Sequence, residues 1–96
     1  MDRTEIEAVF ETILERLAAV EHARWADWQR YMHSVATRQA DGSLVLPAGR
    51  VRSWERQIAM PYSELSERER ESDRREVRRY LPIIAAALGA GGERSA

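Results

Sequence analysis

Residues 61–74 read PYSELSERERESDR. A proline-led turn carrying Tyr62 passes through Leu65 and becomes an almost unbroken run of charge that closes on Asp73 and Arg74. Ser66 and Glu69 have the S/T-x-x-E spacing of a capping box, in which each side chain satisfies the other's backbone N–H. The charged run is therefore expected to open a helix, and Pro61 is expected to stop the helix before it. A turn held between two helices sets the plan of the chain, and the rest of the sequence can be read outward from it.

Downstream, Asp73, Val77, Tyr80, Leu81, Ile84 and Leu88 fall along one helical stripe. Pro82 removes one backbone donor and is expected to bend this third helix, with Gly89 as its terminator. Upstream, a second helix is predicted from about Pro47 to Ala59, with Val51, Trp54 and Ile58 on one face. The stretch DGSLVLPAG at 41–49 is the first clear break; Leu44, Val45 and Leu46 could make a short extended segment, but the first expectation is that they pin that loop to the core. Before it, Thr4 and Glu7 again have capping-box spacing, so a first helix should begin near Glu5. Its apolar positions are Ile6, Phe10, Ile13, Leu14, Leu17, Trp25, Trp28, Met32 and Val35, and no Pro or Gly intervenes before Gly42.

The expected fold is thus all-α, with a long N-terminal helix, a short middle helix, a kinked C-terminal helix and a 41–50 loop. Residues 1–90 form one domain and 91–96 a frayed tail. A first helix of this length would run roughly 50 Å at 1.5 Å per residue, whereas a compact chain of this size has a radius of gyration of about 13 Å. The helix must kink or pack against a second copy, and a homo-oligomer is the expectation.

Composition narrows the chemistry. The 96 residues include no cysteine, which removes disulfides and thiolate metal sites and suits a cytoplasmic setting. No apolar run approaches the roughly 20 residues of a membrane span, and none reads as a signal peptide, so no membrane partner is expected. The net charge of −1 provides no global field for nucleic acid, and all fifteen basic residues are arginine. The basic run RREVRR at 74–79 is interleaved with Glu67, Glu69, Glu71, Asp73 and Glu76. A solvated, salt-bridged helix face explains it better than a duplex-binding surface, so nucleic acid is not the expected partner.

Catalytic and metal readings fail at specific points. His22 and His33 are eleven residues apart, about 16 Å along a helix, too far to share a metal within one chain. Glu64 and Glu67 supply the ExxE half of a four-carboxylate pyrophosphohydrolase site, but no Asp has Glu three residues before it. Phosphate loops, GxSxG elbows and HExxH are missing from the sequence. Neither catalysis nor a cofactor is expected.

The aromatics carry more. Trp25, Trp28, Tyr31, Trp54, Tyr62 and Tyr80 are many for so small a chain. Taken singly, each is most simply core filling. Glu21 sits one turn before Trp25 on the same stripe, with His22 beside it, and a carboxylate at an apolar position must be paired or must line a cleft. Arg24, Arg30, Arg50, Arg52 and Arg56 lie close in sequence. Tryptophan faces that stack on a base, with guanidinium forks that suit phosphate, are what a nucleotide pocket requires. Helix 2 is the better N-terminus for an anion, because Arg50 and Arg52 stand in its first turn while Glu64, Glu67 and Glu69 crowd helix 3.

The stretch MPYSELSERERESDR resembles the signature of the ryanodine-receptor repeat (RyR) domain, a hydrophobic-Pro-Tyr-x-x-Leu turn before a helix that ends in Asp-Arg. Pro61, Tyr62, Leu65, Glu69, Asp73 and Arg74 carry it. The family's earlier mark, His followed closely by Trp, resembles His22 and Trp25 in EHARW. EHARWADWQRY and then SWERQIAMPYSEL also look like small stand-alone RyR-like proteins of bacteria and phages. The resemblance covers about a third of the chain in two ordered blocks. The family's Gly-Trp-x-Tyr-Gly and Lys-x-His-Pro segments have no counterpart here, so their ligand chemistry does not carry over.

The resemblance implies a non-enzymatic helical module that binds a nucleotide-derived signal. A copy without an effector domain could sequester a second messenger of host defence, as a phage-encoded sponge in the host cytoplasm would. The expected ligand-binding residues are Glu21, His22, Trp25, Trp28, Arg50, Arg52, Trp54, Tyr62 and Arg74, with Tyr62 and Asp73-Arg74 as buttresses. The rival expectation is a protein-interaction module whose aromatics form an open apolar groove.

Overall fold

The computed structural model describes residues 1–95, with side chains described for residues 1–90. The chain is predominantly helical. Helix α1 spans Arg3–Val35, followed by strands β1 (Thr37–Arg38) and β2 (Leu44–Val45) and helix α2 (Ala48–Ala59). A 3-10 turn at Tyr62–Glu64 then leads to α3 (Glu67–Val77) and α4 (Leu81–Ser95). The chain divides into two units, Met1–Arg24 with Asp73–Ala96, and Trp25–Ser72.

Helix α1 begins two residues earlier than Thr4 and Glu7 imply. The Asp2 carboxylate accepts from the Glu5 N–H at 2.8 Å, and the Asp2 carbonyl accepts from Ile6. Asp is as good an N-cap as Ser and better than Thr, and Asp2 stands two residues ahead of Thr4. The helix then runs 33 residues without a break.

In the first unit, α1 and α4 lie antiparallel, because Glu21 meets Tyr80 at one end and Val9 shares a groove with Ala90 at the other. The packed row of α1 is Ile6, Val9, Ile13, Leu17 and Val20, and Ile13 is the one buried side chain among the described residues, 4% exposed. Phe10 and Leu14 fall on the flank of that row and are exposed. On α4 the inward positions are Ile83, Ile84, Ala87 and Leu88.

The expected single third helix is two helices. After α3 the N–H groups of Arg79 and Tyr80 bond three residues back, to Glu76 and Val77, and the next helix starts from the Tyr80 carbonyl. Pro82 is the physical cause: in a continuous helix it would lack the donor for the Arg78 carbonyl, and its ring would collide with that carbonyl. Placed in the first turn of α4, it costs no helical bond. Gly89 lies inside α4 and does not end it. The expected frayed tail, 91–96, falls on residues whose side chains lie outside those described, and Ala96 lies outside them altogether.

In the second unit the 41–50 segment is partly ordered as a hairpin, with Thr37 opposite Val45 and Arg38 opposite Leu44. Gly42 has φ +89°, a conformation that favours glycine, and Asp41 accepts from the Ser43 N–H at 2.9 Å, which closes the turn. Leu44 and Leu46 point inward as expected, while Val45 is exposed. Pro47 caps α2 with extended backbone, and Met60 ends it before Pro61. The packed face of α2 is centred on Trp54, Gln57 and Met60, so Ile58 falls at its margin and is 83% exposed.

The 61–74 stretch folds as its sequence says. Ser66 Oγ accepts from the Glu69 N–H at 3.2 Å, and Glu69 Oε1 accepts from the Ser66 N–H at 2.9 Å. Beyond that box, Arg56 of α2 pairs with the other Glu69 oxygen. Arg70 Nη1 reaches back to the Ser63 carbonyl at 3.1 Å, while its Nη2 bonds Glu67 at 2.9 Å. These charges are tethers that fasten the turn to α3 and α3 to α2. Ser66→Ala should cost about 1 kcal/mol, the usual loss of an N-cap, read as a lower urea midpoint with unchanged slope.

Candidate functional site

The site residues named from the sequence fall in both units. In the second unit, Trp28 and Tyr31 stand one turn apart on α1, and Arg50 and Trp54 one turn apart on α2. The spacing brings them together. Trp28 and Trp54 meet edge to face, with ring centroids 5.4 Å apart and planes at 69°, and Trp28 lies 5.7 Å from Tyr31. Both are favourable arrangements for aromatic quadrupoles. Arg50 donates from Nη1 to the Tyr31 hydroxyl at 2.8 Å, with its guanidinium carbon 5.8 Å from the ring centroid.

Three named residues, Trp28, Trp54 and Arg50, therefore form one cluster. Trp54 is half-buried, and Trp28 and Tyr31 keep more than two-fifths of their surface exposed. Part of the aromatic surface is thus available to a planar ligand. Arg52 lies exposed as the fifth residue of α2, just past the first turn that holds Arg50; that turn has no acidic residue, and Pro47 supplies no side-chain cap. Trp25 is exposed on α1, and Tyr62 is exposed at the start of the 3-10 turn. Tyr31 was the residue missing from the expected set, and its position three residues after Trp28 was the available signal.

In the first unit, Glu21 is paired. Arg24 reaches both Glu21 oxygens, and the Tyr80 hydroxyl donates to the same carboxylate. The hydrogen bond from Arg24, then that from Tyr80, holds the Glu21 carboxyl down to about 2. In return Glu21 keeps the Arg24 guanidinium charged and pushes the Tyr80 phenol up. This triad joins α1 to the start of α4. His22 is exposed on α1, and Arg74 is half-buried on α3. A groove of about 250 Å³ lies on one flank of the α1–α4 pair, lined by Val9, Thr12, Ile13, Arg16, Ala86, Ala87 and Ala90. Its walls hold a single charged side chain and no aromatic ring, so it lacks the stacking chemistry of the Trp28–Trp54 cluster.

Among the described residues no group of three or more His, Asp or Glu could hold a metal ion, and no helix is long and apolar enough to cross a membrane. Comparison of the chain with protein-family models, with characterised proteins and with solved structures finds no match.

The triad sets a pH dependence. Because Glu21 has a folded value below its ordinary 4.5, its contribution is complete above that ordinary value and is lost as the pH falls toward about 2. Tyr80 acts oppositely: its contribution is present below the ordinary phenol value and is lost as the pH rises through the raised one. Glu21→Gln should melt below wild type at neutral pH, and the two melting curves should converge near pH 2.

Proposed function

We propose that this chain is a non-enzymatic helical module that binds a nucleotide-derived signalling molecule as a homo-oligomer and withholds it. The observation that carries the reading is the Trp28–Trp54–Tyr31 cluster with Arg50 bonded across it. Exposed tryptophan surface offers a base a stacking partner, and stacking is tolerant of which base arrives. Arg50 in the acid-free first turn of α2, with Arg52 two residues further on, supplies phosphate recognition beside it. The resemblance of EHARW and PYSELSERERESDR to the RyR domain agrees with this ligand class. Trp25 and Tyr62, in the same unit, belong to the proposed ligand-binding set; in the other unit the expected residues are His22, Arg74 and Glu21, the last already engaged by Arg24 and Tyr80. A phage-type sponge that withholds the signal in the host cytoplasm is the form of this function that we propose.

A specific observation favours a second reading, a protein-interaction module. Eleven large apolar side chains among the described residues are more than two-fifths exposed, an unusual load for a soluble surface.

A thermal-shift screen against adenine nucleotides, ADP-ribose derivatives, cyclic ADP-ribose isomers and cyclic di- and trinucleotides separates the two. A ligand at 100 times its Kd stabilises by about 2.7 kcal/mol, on the order of 10 °C here. Trp54→Ala should weaken binding roughly 5- to 150-fold, the value of one base–aromatic stack. Arg50→Ala should weaken phosphorylated ligands more than the parent nucleosides. No shift across the panel contradicts the nucleotide reading and leaves the interaction module.

A further inference from the structure

The arginines close in sequence to the aromatics differ in what holds them. Arg24, Arg30 and Arg56 are each ion-paired, with Glu21, Asp27 and Glu69 respectively. Arg50 is held by a neutral group instead: the Tyr31 hydroxyl accepts from its Nη1 at 2.8 Å. Among the described residues no carboxylate pairs with Arg50, and its Nε and Nη2 donors stay open. A cation tethered by a neutral acceptor keeps its whole charge for an incoming anion.

We propose that Tyr31 is a positioning residue of the nucleotide site, holding Arg50 where it meets the phosphate esterified to the sugar of the stacked base. The proposal rests on the nucleotide reading above and names the phosphate that is read. Tyr31 touches both recognition groups: its ring centroid is 5.7 Å from that of Trp28, and the Arg50 guanidinium carbon is 5.8 Å from the same centroid. A base laid on the exposed part of Trp28 is thus held within two ring contacts of the guanidinium, and its nearest phosphate is the first to fall within that reach. The guanidinium is a planar fork with donors fixed relative to one another, so anchoring one N–H orients the rest and less side-chain entropy is lost when an anion binds. The ligand class is a nucleoside monophosphate unit, free or within a cyclic phosphodiester, in preference to one read through its β- and γ-phosphates.

The tether can be separated from packing. The Tyr31 ring lies against Trp28 at 38°, so truncating the whole side chain would disturb the stacking surface, whereas removing the hydroxyl alone leaves the ring contact in place. α2 also keeps its other ties without that bond, the Trp28–Trp54 contact and the Arg56–Glu69 pair. Tyr31→Phe therefore frees the Arg50 side chain and leaves the elements that carry it where they are.

Titration calorimetry on the full chain with adenosine, AMP, ATP and cyclic di-AMP tests it, for wild type, Tyr31→Phe, Arg50→Ala and the double variant. Wild type should bind AMP and cyclic di-AMP more tightly than adenosine, and most of the gain from adenosine to ATP should already be present in AMP. Tyr31→Phe should weaken AMP roughly 2- to 13-fold, the value of one hydrogen bond, and leave adenosine unchanged. Arg50→Ala should weaken AMP further, and adding Tyr31→Phe to it should change nothing, because the hydroxyl then holds nothing. Equal losses for adenosine and AMP in Tyr31→Phe, or no loss for either, overturn the proposal and leave the nucleotide reading intact. So do additive losses in the double variant, or a gain that first arrives with ATP. A wild type that binds none of the four compounds overturns the reading and the proposal together.

Discussion

One constraint governs this chain: among its described residues, folding alone buries a single side chain, Ile13. Hydrophobic burial is the dominant favourable term in folding, and a domain of this size is marginal even when its core is complete. The rest of the architecture reads as economy under that limit. α1 is one unbroken helix of 33 residues whose ladder of backbone bonds needs no help from loops. Where apolar contact is thin, polar ties fix geometry: Glu21 with Arg24 and Tyr80 in one unit, Glu69 with Ser66 and Arg56 in the other. Partly exposed ion pairs of this kind contribute little net stability. What they supply is register.

The same economy shapes the candidate site. Trp28, Tyr31, Trp54 and Arg50 hold one another by ring contacts and one hydrogen bond, and they are not sealed beneath other elements. α2 is confined between Pro47 and Pro61 and tied to α3 through Arg56, so the cluster sits on an element whose ends and orientation are fixed. An aromatic surface that is both positioned and accessible is preorganised for a planar ligand, and preorganisation lowers the entropy lost on binding.

Local features were legible in the sequence and distant ones were not. The Ser66–Glu69 box, the proline limits of α2 and the Asp41–Gly42 turn each depend on residues within four positions of one another. Local competition was harder to judge: Asp2 displaced Thr4 as the cap, and Pro82 split a helix it was expected to bend. Helical periodicity placed Phe10, Leu14 and Ile58 with the core, yet packing selected one edge of each stripe. Within the site, the i,i+3 pair on α1 and the i,i+4 pair on α2 were readable from each helix, but nothing local joined Tyr31 to Arg50, nineteen residues apart. Nor could spacing pair Glu21 with Tyr80, fifty-nine residues apart.

The most direct test of the account is the melting temperature of the unliganded chain as a function of its own concentration. If the core is completed by a second copy, mass action requires the midpoint to rise steadily with the logarithm of chain concentration. A midpoint that stays constant over several decades, with a fully cooperative transition, would mean that the single chain is stable as it stands and would contradict the account.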